Sequence, residues 1–218
     1  MGIHERKDRE KEIRRSQILK VAKKLFYSKG LNSPTIEEIA TGAELSPGSL
    51  YSYFKNKDEI FATLNINLLR FMLEKVKKIE CSTELTPQQK LDALSVAWYD
   101  TYRADPQLFL SMVRSQASED LVNISDGVLS EMKQVNKELV TATCNIFNEG
   151  FQKEAFIKCH PVALGDIIWA IVTGLVLWEE SKKTLDPRKN YLKSTLDLAL
   201  EIIGRGLIKT NNEASPKE

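Results

Sequence analysis

Apolar residues recur along nearly the whole chain with the three-to-four-residue spacing of an amphipathic helix, and the alternation typical of strands is essentially missing. The first such helix buries one face and leaves the opposite face rich in lysine and arginine. The buried face consists of Ile18, Val21, Ala22, Leu25 and Phe26. Gly30 follows as a left-handed cap that ends this helix. The pattern predicts an all-α fold.

Proline positions mark where several helices begin. A proline suits the first turn of a helix because its fixed φ fits the helical backbone and its missing N–H would have no partner there. Five of the seven prolines fit this first-turn position behind a capping residue: Ser46-Pro47, Thr86-Pro87, Asp105-Pro106, His160-Pro161 and Asp186-Pro187. Between these marks the periodicity predicts helices over about 10–29, 35–42, 46–53, 57–80, 87–104, 106–118, 126–154, 162–182 and 187–209.

The predicted helices divide into a small N-terminal group and a larger C-terminal group. The second and third helices continue the apolar face of the first, so these three form one compact unit. They contribute Ile36, Ile39, Ala40, Leu45, Leu50 and Phe54 to its core. We expect an N-terminal domain over 1–56, a second helical domain over 57–210 and a flexible polar tail over 211–218.

Helix starts are unusually dense after the first helix, where three fall within about 25 residues. Each carries a capping pattern: Thr35 with Glu38 forms a capping box, Ser46 precedes a first-turn proline, and Asn56 with Glu59 forms a weaker box. Two short helices joined by a tight turn and followed by a third start have the geometry of a helix-turn-helix.

The third helix has an unusual surface for a structural helix. Its expected solvent side carries small or hydroxyl-bearing groups, with almost no charge before Lys55 and Lys57: Pro47, Gly48, Ser49, Tyr51 and Tyr53. Small residues at a helix tip can approach base edges in a major groove, whereas tyrosine hydroxyls and helix N-terminal N–H groups can bind phosphates. This pattern indicates a DNA-binding surface.

The same segment resembles the signature of the TetR family of bacterial transcription regulators. The matching positions are Ile39-Ala40, Ala43, Leu45-Ser46, Gly48, Leu50-Tyr51, Tyr53-Phe54 and Lys57, preceded in the first helix by Ile18-Leu19, Ala22, Leu25-Phe26 and Gly30. The resemblance covers about residues 14–62 and is specific, because many fixed spacings coincide. Glu44 departs from the pattern, since the family usually has glycine in this turn, and a strained or differently shaped turn is expected there.

The resemblance implies a DNA-binding role for each matching position. It implies that Ser46, Pro47, Gly48 and Ser49 face bases, that Tyr51 and Tyr53 face phosphates or bases, and that Thr35 and Lys57 hold phosphates. Lys55 is a further cation among the expected DNA-binding residues. Arg14 and Arg15, ahead of the first helix, are expected to reach the backbone or the minor groove.

Simpler interpretations of these residues stay open at this point. Tyr51 and Tyr53 could be half-buried packing residues, and Lys55 and Lys57 could be ordinary solvated charges. The mixed run of acids and bases from Glu5 to Arg15 is more often a solvated helix start than a DNA-binding arm.

The last two predicted helices have apolar faces that are wider than one core-facing stripe. The residues are Leu164, Ile167, Ile168, Ile171, Val172, Leu175 and Trp178 in one helix, and Leu192, Leu196, Ala199, Ile203 and Leu207 in the other. Such breadth favours a second partner for each helix. In the family that the chain resembles, these two helices pair with their copies in a homodimer. A dimer would place two recognition helices roughly 34 Å apart on a near-palindromic operator.

The middle helices supply aromatic and soft side chains at helical spacing: Trp98, Tyr102, Phe109, Met112, Phe147, Phe151 and Trp169. Core packing is the commoner role for each residue alone. A large apolar pocket would use the same residue types, with Tyr102, Asn145 and Thr173 as polar anchors for a small hydrophobic ligand. We expect ligand binding to shift the helix over 57–80 and so release a repressor from its operator.

Composition narrows the possible locations and partners. The net charge of +1 gives no general attraction to nucleic acid, so DNA affinity must come from local patches. Cys81, Cys144 and Cys159 are odd in number and widely spaced, which is typical of reduced thiols. No stretch is expected to reach the roughly 20 apolar residues of a membrane span. A cytoplasmic protein without membrane association is therefore expected.

Two other functional classes remain as alternatives. An enzyme is disfavoured because His4 and His160 assemble no catalytic or metal-binding set and no phosphate-binding glycine loop occurs, so no cofactor is expected. His160 beside Cys159 is interpreted as a helix cap. An all-helical adaptor that binds another protein is the third hypothesis, and only a DNA binder would show steep salt dependence in duplex binding.

Overall fold

A computed structural model of the chain describes residues 3–30, 33–115, 123–186 and 190–208. Nine helices occur within these ranges: α1 (Ile3–Lys29), α2 (Ile36–Gly42), α3 (Pro47–Tyr51), α4 (Lys57–Glu80), α5 (Pro87–Ala104), α6 (Pro106–Ser115), α7 (Asp126–Gln152), α8 (Pro161–Leu185) and α9 (Leu192–Leu207). Strand-like pairing in the described part is limited to an isolated antiparallel bridge between Phe156 and Ile208. The predicted all-α fold is confirmed, and the expected tail over 211–218 lies outside the described residues.

Helices α4 and α5 have the predicted bounds, whereas α1 begins at Ile3 instead of near residue 10. The early start follows from the alternating charges, because acids and bases four residues apart face each other on a helix. The Arg6 Nε donates to the Glu10 Oε1 at 3.1 Å, and such a pair stabilises an exposed helix by about 0.2–0.5 kcal/mol. Arg14 and Arg15 lie within α1, in agreement with the predicted range of 10–29 and not ahead of the helix as their DNA-binding interpretation assumed.

The predicted start of the last helix at residue 187 is wrong. Helix α9 begins at Leu192, where the Thr195 N–H donates to the Tyr191 carbonyl at 2.9 Å. The Tyr191 N–H is already bound to the buried Glu179 carboxylate at 2.8 Å. Pro187 itself lies outside the described residues.

Capping residues stand where the prolines predicted them. The Thr86 side chain caps α5 through a complete capping box. At the start of α6, the Asp105 Oδ1 accepts from the Leu108 N–H at 3.1 Å. At the start of α8, the His160 Nδ1 accepts from the Ala163 N–H at 3.4 Å. The interpretation of His160 as a helix cap is therefore confirmed.

The chain forms two compact units, and two helices belong to both. The first unit comprises Met1–Asn67 and Arg114–Lys133, and the second comprises Leu68–Val113 and Gln134–Glu218, so far as these ranges are described. The division therefore passes through α4 and α7, whereas the sequence suggested a boundary ahead of α4.

In the first unit, α1, α2, α3 and the start of α4 pack around one apolar core. Its buried residues include Ile18, Ala22, Phe26, Ile39, Ala40, Leu50, Phe54, Ile60 and Phe61. The rings of Phe26 and Phe61 meet edge to face with centroids 6.2 Å apart. Gly30, with φ +83°, ends α1 as predicted. Gly42 lets α2 approach α1 closely, because a Cβ there would lie 2.7 Å from the Val21 Cγ1.

In the second unit, α9 packs against both α5 and α8. The core includes Leu91, Leu94, Trp98, Phe109, Ile146, Phe147, Ile168, Val172, Leu196 and Leu200. Lys90 is buried in this unit, and its ammonium donates to the Glu80 carbonyl at 2.9 Å and to the Glu149 Oε2 at 2.6 Å. Because a buried charge needs such partners, Lys90 ties the start of α5 to the ends of α4 and α7.

Helix α8 carries far more apolar surface than one chain buries. Its segment Pro161–Lys183 is long and apolar enough to cross a membrane by length and composition, with a mean hydropathy of 1.8. The expectation that no stretch is long and apolar enough for a membrane span is therefore wrong for this segment. Asp166 interrupts the run of apolar residues, but the mean hydropathy of the segment stays high. Only 22% of this segment is buried, and Ile167 and Trp178 are among its exposed residues.

Candidate DNA-binding surface and aromatic cluster

The turn between α2 and α3 has the geometry of a helix-turn-helix. The Thr35 hydroxyl accepts from the Glu38 N–H at 3.2 Å, and the Glu38 carboxylate accepts from the Thr35 N–H at 3.1 Å. The predicted capping box at the start of α2 is therefore present. After α2, the Leu45 N–H donates to the Ala40 carbonyl at 2.9 Å and closes the turn.

Glu44 adopts a left-handed backbone conformation within this turn. Its φ is +57°, a region that costs a residue with a Cβ about 1–2 kcal/mol. The Glu44 N–H still donates to the Thr41 carbonyl at 3.1 Å. The replacement of the family's glycine thus preserves the turn and strains it, as the sequence predicted.

The N-terminal end of α3 is exposed and uncharged. We call residues 46–49 the recognition tip. The Ser46 hydroxyl caps α3 by accepting from the Ser49 N–H at 3.1 Å. The space around Gly48 is open, because a Cβ there would meet only the Ser46 hydroxyl, at 4.0 Å. The recognition tip can therefore approach base edges closely, as a recognition helix must.

The predicted phosphate-binding residues differ in how much of their surface is exposed to solvent. Thr35, Tyr51 and Lys55 are exposed, whereas Tyr53 and Lys57 are half-buried. Tyr51 is 53% exposed, which disfavours a packing role for its ring. Tyr53 remains compatible with both packing and a phosphate contact. The individual DNA contacts of these residues stay predictions.

The two arginines predicted to contact DNA have different surroundings. The Arg15 guanidinium lies 4.5 Å from the centroid of the Phe54 ring and donates to the Thr63 Oγ1 at 3.3 Å. A DNA contact would compete with these intramolecular contacts. Arg14 is exposed and donates to the Gln17 Oε1 at 3.1 Å. Because a guanidinium has five N–H donors, Arg14 keeps most of its capacity for another partner.

A buried carboxylate joins the segment before α4 to the segment before α7. Glu59 is 5% exposed; its Oε2 accepts from the Lys55 N–H at 2.7 Å and its Oε1 accepts from the Ser125 N–H at 3.0 Å. The Asn56 amide donates to the Asn123 carbonyl at 2.6 Å. We call these contacts the Glu59 clasp, and all of them lie within the first unit.

The Glu59 clasp holds an ionised carboxylate. Burial raises the pKa of Glu59, but hydrogen bonds from Ser125 and Lys55 and the charge of Lys55 outweigh it, so the pKa lies below its ordinary value. The spacing of Asn56 and Glu59 predicted a cap, and the Asn56 Oδ1 does accept from the Glu59 N–H at 2.9 Å. The carboxylate itself bonds to residues that this spacing did not indicate, including Ser125.

Three of the predicted ligand-binding residues come together in the second unit. The rings of Tyr102 and Phe109 meet edge to face with centroids 6.0 Å apart, and those of Phe109 and Trp169 are 6.2 Å apart. We call these three residues the aromatic cluster. The Tyr102 hydroxyl bonds to the Glu180 carboxylate and accepts from the Lys183 Nζ at 3.0 Å.

Glu180 and Lys183 were not predicted as site residues. Their only signal was an acid and a base three residues apart at the end of an apolar helix. Burial and the Glu180 carboxylate raise the pKa of Tyr102, so the phenol stays neutral. Although burial lowers the pKa of Lys183, bonds to Glu180 and Tyr102 raise it overall. Apolar rings beside one phenol and one ion pair suit a mainly apolar molecule with a polar group.

The remaining predicted ligand-binding residues are either buried in the core or hydrogen-bonded to other residues of the chain. Buried in the second unit are Trp98, Met112, Phe147 and Phe151. The Trp98 indole N–H lacks a hydrogen-bond partner among the described residues. Asn145 is exposed, and its amide donates to the Glu80 Oε1 at 2.6 Å. The Thr173 hydroxyl donates to the Trp169 carbonyl at 2.9 Å, so it bonds within its own helix.

An exposed, uncharged recognition tip on a two-helix turn, followed by a larger helical unit, defines a helix-turn-helix regulator of transcription. Residues 18–64 match the family described as bacterial regulatory proteins, tetR family. The chain is also 39% identical over 141 residues to the HTH-type transcriptional regulator QacR of Staphylococcus aureus. The aligned region covers 62% of this chain and 70% of that protein. The chain belongs to the tetR family and is a DNA-binding transcriptional regulator, as the motif predicted.

Solved structures share the fold of this chain. PfmR, a TetR family transcriptional regulator from Thermus thermophilus, has a TM-score of 0.68 at 19% identity, covering 88% of this chain and 99% of that one. FadR from Bacillus subtilis, solved in complex with stearoyl-CoA, has a TM-score of 0.64 at 19% identity, covering 88% and 98%. These similarities confirm an N-terminal helix-turn-helix followed by a helical C-terminal part.

Proposed function

We propose that this chain is a repressor that binds a near-palindromic operator as a homodimer and leaves it when a small hydrophobic ligand binds. The observation that carries the proposal is the exposed, uncharged recognition tip at residues 46–49. Repression is the common mode of the family. A cytoplasmic location is part of the proposal, since the DNA is there and the three cysteines are free thiols.

The recognition tip and its flanking residues divide the work of DNA binding. Small side chains at Ser46, Gly48 and Ser49 suit direct contact with base edges in the major groove. Thr35 and Lys57 suit the phosphates on either side, which position the protein without reading sequence. Because the net charge is only +1, these local contacts must supply the attraction to DNA.

Duplex binding measured at several salt concentrations tests this division. We expect Lys57→Ala to weaken binding to all sequences and to lower the slope of log K against log salt by about 1. We expect Ser49→Ala to change the preference between sequences. Lys158→Ala, an exposed lysine of the second unit, is the control. Equal, sequence-independent losses for Lys57→Ala and Ser49→Ala, or no binding of any duplex by the natural chain, would contradict the assignment.

A homodimer through α8 and α9 accounts for the apolar surface of these helices. Ile167 and Trp178 of α8 are 55% and 62% exposed, and Leu198 and Ile202 of α9 are 55% and 62% exposed. Gly174 lies between the two α8 residues, and a Cβ there would meet nothing within 4 Å. The absence of a side chain at Gly174 favours close approach of a second helix. A dimer also supplies the two recognition tips that a near-palindrome requires.

The aromatic cluster is the proposed ligand site, with Tyr102 as its polar anchor. The similarity to a FadR solved with stearoyl-CoA supports a ligand with a long apolar chain. Helix α4 is continuous from Lys57 to Glu80 and contributes residues to both units. A ligand that binds one arrangement of α4 more tightly shifts the protein toward it, and typical couplings are about 1–3 kcal/mol.

Operator release in the presence of stearoyl-CoA or the free fatty acid of the same chain tests the ligand site. We expect the natural chain to bind one of them and to lose operator affinity. Tyr102→Phe removes the hydroxyl and keeps the ring, so we expect about tenfold weaker ligand binding, equivalent to about 1.4 kcal/mol, and unchanged operator binding without ligand. Tyr191→Phe, at an exposed tyrosine, is the control. An operator affinity that no bound ligand alters would contradict the release mechanism.

A further inference from the structure

The first three turns of α1 are exposed over residues 4–14. A groove of about 690 Å³ lies between this part of α1 and the residues that end α3. Lys7, Lys11 and Arg14 line it on the α1 side, together with Glu10, and Ser52 and Tyr53 line it on the other side. All of these residues belong to the first unit.

The cations of the groove share one face of α1. Lys7, Lys11 and Arg14 stand four and three residues apart, which is the spacing of neighbours on a helix surface. Ile18 follows on the same face, where it is fully buried in the core of the first unit. The face that packs inward farther along α1 is therefore cationic in the first three turns.

The groove contains hydrogen-bond donors that the chain does not use. No hydrogen bond or ion pair to the Lys7 or Lys11 ammonium occurs within the part of the chain that the structure describes. Arg14 gives one N–H to Gln17. The single acid, Glu10, is paired with Arg6 at 3.1 Å. The excess of positive charge and of donors calls for an anionic partner with several acceptor oxygens.

We propose that this groove is a phosphate-binding site that holds the sugar-phosphate backbone of the duplex beside the major groove entered by the recognition tip. The inference rests on the DNA-binding function proposed above. Ser52 and Tyr53 directly follow α3, so an occupant of the groove lies next to the helix that reads the bases. DNA is the dense anion at that position, with one charge per about 1.7 Å of helix axis. The groove extends the contact beyond the phosphates assigned to Thr35 and Lys57.

Single substitutions on two sides of α1 test the proposal. Lys11→Ala removes a groove cation, whereas Arg9→Ala removes an exposed cation of the same helix that does not line the groove. Alanine, lysine and arginine are all strong helix formers, so both variants should keep the circular dichroism of the natural chain. The measurement is the slope of log K against log salt for an operator duplex.

We expect Lys11→Ala to lower the slope by about 0.9, the value for one phosphate, and Lys7→Ala with Lys11→Ala to lower it by about twice as much. Arg9→Ala should leave the slope nearly unchanged. If Lys11→Ala has the same slope of log K against log salt as the natural chain, the groove is not a phosphate-binding site, although the DNA-binding function stands. Equal losses in Lys11→Ala and Arg9→Ala would show a general charge effect and also overturn it. Failure of the natural chain to bind any duplex would overturn both proposals.

Discussion

Replacing Glu59 by glutamine tests the Glu59 clasp with almost no change in side-chain volume. The natural carboxylate presents one oxygen to the Lys55 N–H at 2.7 Å and the other to the Ser125 N–H at 3.0 Å. Glutamine offers one oxygen and one NH₂ group, so one of the two N–H groups must face another donor. The substitution therefore removes one of the two hydrogen bonds and the charge that strengthens both.

The expected loss is large because Glu59 is only 5% exposed. A hydrogen bond to a charged group contributes about 1.5–3 kcal/mol, and a buried donor left without an acceptor costs about 1–3 kcal/mol. These effects overlap, so we expect Glu59→Gln to lower the free energy of unfolding by about 2–4 kcal/mol. The Lys55 segment that precedes α4 would also lose its anchor, and operator affinity should fall.

The pH dependence of the free energy of unfolding shows whether the ionised carboxylate of Glu59 causes the loss. The pKa of Glu59 is lower in the folded chain than its ordinary 4.5, so its contribution is fully present above the unfolded pKa and is lost as pH falls through the folded pKa. The difference in free energy of unfolding between the natural chain and Glu59→Gln should therefore be constant near neutral pH. It should shrink as the pH drops below 4.5.

Urea unfolding followed by circular dichroism, at one protein concentration and a series of pH values, measures this difference. Concentration must be fixed because the proposed dimerisation would add to the apparent stability. Glu74→Gln is the matched control, since Glu74 is an exposed glutamate of the same helix. If Glu59→Gln unfolds within about 0.5 kcal/mol of the natural chain at neutral pH, the clasp does not stabilise the first unit and the reasoning is refuted.

Three further substitutions test strain, buried charge and assembly. Glu44→Gly removes the left-handed strain, and urea unfolding should show a gain of up to about 1 kcal/mol; a loss would mean that the turn is unstrained. Lys90→Met leaves the Glu80 carbonyl without its donor and should cost about 1–3 kcal/mol in urea unfolding, whereas Glu149 keeps its bond to Lys153; a loss below about 0.5 kcal/mol would contradict a stabilising role for the buried ammonium. Ile202→Arg should yield monomers in sedimentation while Val140→Arg, at a 50% exposed position of α7, stays dimeric; a dimeric Ile202→Arg would contradict the α8–α9 interface.

Local sequence patterns predicted most of the fold, because helix boundaries depend on residues only a few positions apart. Thr86 and His160 cap the helices that their prolines marked. The pattern was insufficient where long-range contacts decide the boundary. Tyr191 stays outside α9 and is bound through its N–H to Glu179, twelve positions earlier. The charged start of α1 was underestimated, because apolar periodicity gives no signal in a helix without a buried face.

The candidate sites were predictable to different degrees for the same reason. The recognition tip lies within one short segment, so Ser46 and Gly48 could be assigned from spacing alone. The ligand region draws on several helices, and sequence patterns cannot show which aromatic residues meet. Tyr102, Phe109 and Trp169 do meet, whereas Asn145 bonds to Glu80 at the surface. Ser125 as a partner of Glu59 required knowledge of contacts 66 positions apart.

The Glu59 clasp bears on how the proposed ligand site would act on DNA. Helices α4 and α7 each contribute to both compact units, and the clasp joins the segments that lead into them. If α7 moved as a rigid helix, it would either break the bond between Ser125 and Glu59 or carry the Lys55 segment along. Breaking it costs about 1.5–3 kcal/mol, as much as a typical allosteric coupling supplies, so carrying the segment along is favoured. The binding of a ligand in the second unit could then change the position of the start of α4 through α4 itself or through α7. We therefore expect Glu59→Gln to weaken ligand-induced release from the operator, even where operator binding without ligand survives.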